Sequence, residues 1–142
     1  MKFEEYSHRD GKELMFIKHE KELKEILEIL TNLPRFPHGQ TKNKTVKDYI
    51  ASAFVKQNWN REVEIPLGTG KVDYCDLLKN RVALEQEYSR FEMFFRDFFR
   101  FMLLYDQREI DVGVVITYDE KAFGSWGAGE DPIHLHVPHY NA

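Results

Sequence analysis

The 142 residues contain a single cysteine, Cys75, which excludes an internal disulfide framework and suits a reducing, cytoplasmic location. Long apolar runs are also missing. Nothing near the start resembles a signal peptide, and no stretch approaches the length needed to cross a membrane, so a soluble intracellular protein is expected. Internal repeats, low-complexity tracts and linker-like segments are absent too. One domain over residues 1–142 is therefore expected, large enough to bury a core without disulfides or structural metal. Nor is there a basic excess: the formal charge of −4 counts against a surface given over to phosphate neutralisation.

What is present is ordinary apolar and charged content, with aromatics concentrated between Phe91 and Tyr105. Residues 1–18 give mixed signals, with a short strand expected at Leu14–Ile17. Leu23, Ile26, Leu27 and Leu30 recur at helical spacing over about 20–30, and Pro34 ends that helix ahead of a loop over 34–44. Thr45 reads as the N-cap of a second helix to about Gln57, with Val46, Ile50, Ala53 and Phe54 inward. Strand-like runs follow at 62–66, 71–78 and 81–88, with turns at Gly68-Thr69-Gly70 and Lys79-Asn80. A helix over about 90–105 places Phe91, Phe94, Phe95, Phe98, Met102 and Tyr105 on one face, with Arg96 and Arg100 toward the other. That stripe fits core packing. Phe99 and Phe101 widen it and leave a dimer contact as the alternative. A last strand is expected at 111–117, giving a compact α/β or α+β domain.

The chemistry lies in residues 72–89. Along a strand Glu85 and Glu87 share one face while Gln86 and Tyr88 share the other. With Lys79-Asn80 as a two-residue turn, Asp76 pairs with Ala83 and so lies on the Glu85 face, roughly 6–8 Å from it. The same parity sends Asp73 to the opposite face, from which only a bulge or an offset register would return it. Three carboxylates on one patch repel each other unless a cation or protons neutralise them. Mg²⁺ is the natural ion, since it takes oxygen ligands and keeps waters for chemistry. The bland alternative is a pair of solvent-facing glutamates on a half-exposed sheet.

Asp76, nine positions before Glu85-Gln86-Glu87, resembles the active-site pattern of the BglII/BamHI branch of the PD-(D/E)XK nuclease superfamily. Lys79-Asn80-Arg81-Val82-Ala83-Leu84-Glu85 resembles the turn and second catalytic strand of BglII-type enzymes. Gln57-Asn58-Trp59-Asn60-Arg61-Glu62-Val63 is similar to their helix end and first strand. Glu109-Ile110-Asp111-Val112-Gly113-Val114 resembles the strand after their long helix. The likeness spans about residues 45–118, the expected catalytic core.

The resemblance implies an α/β core with a central mixed sheet of about four to five strands flanked by helices. It implies a Mg²⁺-dependent DNA endonuclease, with Mn²⁺ as a substitute, acting on double-stranded DNA. Asp76 and Glu85 become metal ligands, with the Gln86 backbone carbonyl a third contact. Glu87 takes the last motif position, where the BglII pattern has Gln and the superfamily commonly has Lys; Glu is the BamHI-like choice. Cutting both strands implies two sites and hence a homodimer. Carboxylates neutralised by metal also soften the argument from net charge, and Lys42, Lys44, Lys47, Lys56 and Arg61 cluster ahead of the motif. The short, acidic chain leaves two alternatives: a non-catalytic DNA-binding or assembly module, and a structure-selective repair nuclease.

Three other features of the sequence bear on function. His134, His136 and His139, with Glu130 or Asp131, invite a zinc reading, although three histidines alone leave a site incomplete. The glycines of residues 123–130 do not follow a strand into a helix as a phosphate-cradling loop requires. Cys75, flanked by Tyr74 and Asp76 on a strand, reads as a buried, inert thiol.

Overall fold

The computed structural model describes residues 3–8, 10–34, 36, 41–68, 70–88, 91–118 and 133–138. Its elements run β1 (Phe3–His8), α1 (Gly11–Lys18), α2 (Glu20–Thr31), α3 (Asn43–Lys56), β2 (Asn60–Pro66), β3 (Val72–Lys79), β4 (Val82–Glu87), α4 (Phe91–Asp106), β5 (Val112–Tyr118) and β6 (Ile133–Pro138). The strands form one mixed sheet in the order β1-β6-β5-β4-β3-β2. β2, β3 and β4 are antiparallel, β4 and β5 are parallel with α4 as the crossover, and β6 is antiparallel to β5 and parallel to β1. Six strands rather than four to five result because β1 and β6 extend the sheet beyond β5. Leu14–Ile17 is the second half of a helix: the Leu14 N–H bonds the Asp10 carbonyl, and Met15 alone of that run is buried.

Alternation along β4 and β5 divides the interior. Val82, Leu84, Val112, Val114 and Ile116 pack with α1–α3 around Met15, Leu23, Ile26, Leu30, Val46, Ile50 and Phe54. Ala83 and Val115 point the other way, to α4, with Cys75, Ile65, Phe101 and Leu104. The helical spacing of α2 and α3 therefore reports their buried faces correctly. Each fully buried aliphatic side chain contributes about 1.5–3 kcal/mol. These two layers hold β4 rigidly between them, and β4 carries Glu85, Gln86 and Glu87.

Two expected details differ. α3 begins at Asn43 after an extended Lys42 without a side-chain cap, and the Thr45 N–H sits within the first turn, bonded to the Lys42 carbonyl. Asn43 instead donates to the Tyr88 carbonyl at 3.2 Å, tying the start of α3 to the exit of β4. On α4 the buried face is Asp97, Arg100, Phe101 and Leu104, while Phe95, Phe99 and Met102 are exposed. Of the aromatic stripe, Phe95 and Met102 are thus exposed, Phe98 and Tyr105 are half-buried, and the side chains of Phe91 and Phe94 lie outside the described residues. The reason is local. Phe101 lies directly over Gly113, and the acids of β4 draw the charged side of the helix inward. Among the described residues no helix is long and apolar enough to cross a membrane.

Candidate active site

The site is built by two strands that start together and part. Asn80 and Arg81 both have positive φ, 45° and 69°, forming a tight hairpin turn whose twist matches that of the flanking strands. The turn lies one residue later than Lys79-Asn80, so Lys79 pairs with Val82, Leu78 with Ala83 and Leu77 with Leu84. Asp76 does not pair with Ala83. One step past the last pair, it stands across from Glu85. Parity is preserved because the pairing moved by two positions. Arg81 fixes the turn by bonding Asp111 Oδ1 and the Arg108 carbonyl.

Beyond Leu77 and Leu84 the ladder stops. β3 continues against β2, and β4 against β5. The backbone N–H of Gln86 is met instead by Asp76 Oδ2 at 2.9 Å. Asp76 Oδ2 also accepts from Lys47 Nζ of α3 at 2.8 Å. Gln86 turns to the same helix, its Nε2 reaching the Lys47 carbonyl at 3.3 Å and its Oε1 accepting from Tyr88.

Asp73 returns to the site through an irregularity. Cys75 packs in the α4 layer and Leu77 in the α1–α3 layer, so strict alternation fails between them. Opposite that point Glu62 is skipped in the β2–β3 pairing and holds φ 52°. Asp73 thereby shares the α4 side and takes Arg100 in a fork, Nε to Oδ2 at 2.7 Å and Nη2 to Oδ1 at 2.8 Å. The third guanidinium nitrogen, Nη1, meets Asp97 at 3.0 Å and approaches Glu85 Oε1 at 3.6 Å. Arg96 lies 3.9 Å from Glu87.

The electrostatics are unusual for a stable core. Glu85 is 2 % exposed, and its Oε1 has no hydrogen-bond partner among the described residues. Burial first, then the charges of Asp76 and Asp97, push its carboxyl well above the usual range. Burial likewise raises Asp97 to about 6 despite Arg100. Asp73 goes the other way, lowered chiefly by its Arg100 fork. Counted with every acid ionised, five carboxylates (Asp73, Asp76, Glu85, Glu87, Asp97) face three cations (Lys47, Arg96, Arg100), a formal excess of two negative charges. The orphaned Glu85 oxygen, the hard oxygen donors and that excess together fit one divalent cation. In the present geometry no three His, Cys, Asp or Glu side chains of the described residues ring a common point.

Asp76 and Glu85 are therefore brought together at the fork, while Glu87 stands one strand repeat further along beside Arg96. Asp73, set by parity on the opposite face, joins the site, and Lys47, Asp97 and Arg100 are site residues that the sequence did not assign to it. Lys47 carried a signal, the basic cluster ahead of the motif; Asp97 and Arg100 were hidden inside an aromatic helix. Cys75 is buried, with Sγ on the Leu77 carbonyl and its thiol raised by burial. His134 and His136 fall on β6, but their side chains, His139 and residues 123–130 lie outside the described residues.

A mixed sheet between helical layers, with an acid and an acid-x-acid on two parting strands, is the restriction-endonuclease-like architecture of PD-(D/E)XK type. Residues 3–136 match the family Restriction endonuclease BglII/BglIII. The chain belongs to that family of DNA endonucleases. No curated protein matches it in sequence.

Proposed function

We propose that the protein is a Mg²⁺-dependent endonuclease that hydrolyses phosphodiester bonds of double-stranded DNA, with Mn²⁺ able to substitute. Asp76, Glu85 and the Gln86 backbone carbonyl would hold the ion. The observation that carries this reading is the buried Glu85 Oε1, without a hydrogen-bond partner among the described residues, at the fork beside Asp76. A bound divalent cation supplies a Lewis acid for the phosphoryl oxygen and lowers the pKa of attacking water. Glu87, further along the same strand, orients that water and accepts its proton. Arg100, itself bonded to Asp97, approaches Glu85 from α4, and Tyr88 with Gln86 anchors the strand to α3.

Cutting both strands calls for a homodimer, for which Phe99 and Met102 of α4 supply exposed apolar surface. A cytoplasmic setting agrees with the lone thiol. The test is incubation of plasmid and linear duplex with Mg²⁺ or Mn²⁺, beside EDTA and Glu85→Ala controls. Discrete fragments lost in both controls are the expected result. Intact DNA with every metal and substrate would remove the catalytic reading and leave a DNA-binding module.

A further inference from the structure

We infer that Lys47 is a DNA-phosphate ligand held in reserve by Asp76, so that neutralising Asp76 releases an ammonium onto the DNA backbone. The inference rests on the DNA reading above but not on cleavage. Lys47 belongs to α3, and its position relative to the acidic strand is fixed by backbone rather than by its charge. Its carbonyl accepts from Gln86 Nε2, between the two glutamates, and Asn43 one turn earlier bonds the Tyr88 carbonyl. The Lys47 side chain is 41 % exposed, and its ammonium is engaged by Asp76 Oδ2 at 2.8 Å. A half-exposed pair of this kind is held weakly and is easily exchanged.

The surroundings fit a phosphodiester oxyanion. Between α3 and the β2–β3 hairpin lies a cavity of about 250 Å³ whose lining includes the cations Lys44, Lys47 and Arg61 and the acids Asp48, Glu62 and Asp76. The charges balance on the free protein, so taking Asp76 out of the balance leaves the cavity cationic. Arg61 is paired with Asp48, as Lys47 is with Asp76, so each has a carboxylate counter-charge on the free protein. A cation that takes over Asp76 leaves Lys47 a cation without its partner, at the mouth of a cavity already lined by Lys44. One ligand then exchanges for another: Asp76 passes from ammonium to metal, and Lys47 from carboxylate to phosphate.

The experiment is a double-mutant cycle on binding of a fluorescent 20-base-pair duplex in EDTA, read by anisotropy. It uses the parent chain, Asp76→Asn, Lys47→Met and the double variant, each checked for folding by circular dichroism. Asp76→Asn mimics neutralisation and is expected to bind roughly five-fold tighter than the parent, a gain within the usual range for contacting pairs. The salt slope should steepen by about 0.9, one further phosphate contact. In the Lys47→Met background the Asp76→Asn gain should vanish. An equal gain with and without Lys47 would mean simple relief of repulsion and would overturn the inference. Failure of all four proteins to bind DNA overturns it together with the DNA reading. Binding with the expected cycle but no cleavage in Mg²⁺ supports it and removes only the catalytic reading.

Discussion

Asp76 Oδ2 accepts the backbone N–H of Gln86 at 2.9 Å, one position past the last hydrogen-bonded pair of their two strands. A side chain thus replaces a ladder partner where the sheet opens. The opening places an acid opposite Glu85 without leaving a buried N–H unsatisfied. It also explains why β4 tolerates acids: the strand is buried at all six positions, yet three of its residues are polar.

That burial makes Glu85 a stability liability in the metal-free protein. Burial raises its carboxyl well above the usual range, so the fold disfavours its ionised form. Glu85→Gln should melt about 3 °C higher than the parent in EDTA at pH 8, corresponding to about 1 kcal/mol. Mg²⁺ should raise the melting temperature of the parent and leave that of the variant unchanged. Differential scanning calorimetry reads both, and a variant that melts below the parent in EDTA would show that Glu85 is well accommodated as an anion.

Much of this site could be read from residues 72–89, because strand parity and hairpin pairing are short-range rules. With the turn displaced by one residue the pairing moves by two, which sets Asp76 across from Glu85 rather than diagonal to it. Asp73 could not be placed, because its face depends on the irregularity opposite Glu62, a tertiary event with no local signal. α4 misled for a related reason. Its phenylalanines mark a helix with more apolar residues than one face can bury, and which face turns inward is decided by Gly113 and the acids of β4. The outer strands β1 and β6 pair with each other and with β5, non-local contacts that neither segment announces.

The pH dependence of stability in EDTA follows from groups of opposite sign. Asp97, raised to about 6, and Glu85, also raised, bind protons more tightly in the folded state, so stability falls as pH rises through their titration. Asp73 and Asp111, lowered by Arg100 and Arg81, contribute stability that is lost as pH falls below the usual carboxylate range. The melting temperature should therefore peak at about pH 4 and decline as pH rises through about 6 and beyond. Mg²⁺ should flatten the decline. A melting temperature that climbs steadily from pH 5 to pH 8 in EDTA would contradict these assignments.

Gly113 marks the closest approach of α4 to the sheet. A Cβ there would sit 2.8 Å from Phe101 Cε2 and nearer still to two other ring atoms. Gly113→Ala must displace a fully buried ring, at a cost of about 1–3 kcal/mol by urea denaturation. Because Asp97 and Arg100 ride on the same helix, DNA cleavage should also drop in the folded variant. A substitution neutral for both would mean that α4 can shift without disturbing Glu85.

Arg100 is the main counter-charge of the α4 side: it engages Asp73, Asp97 and Glu85, and its own pKa is raised despite its burial. Arg100→Gln leaves the five carboxylates facing two cations, so the excess grows from two negative charges to three. Breaking such a pair from one side strands the acids, and the variant should lose about 3 kcal/mol in EDTA. The same excess should draw a divalent cation harder. Mn²⁺ should therefore raise the melting temperature of Arg100→Gln by more degrees than it raises that of the parent. Asp73→Asn breaks the same fork but removes a negative charge, so it should not show the enlarged Mn²⁺ response. If both variants responded to Mn²⁺ like the parent, Arg100 would be a tether between helix and strand and would have no part in setting the charge of the site.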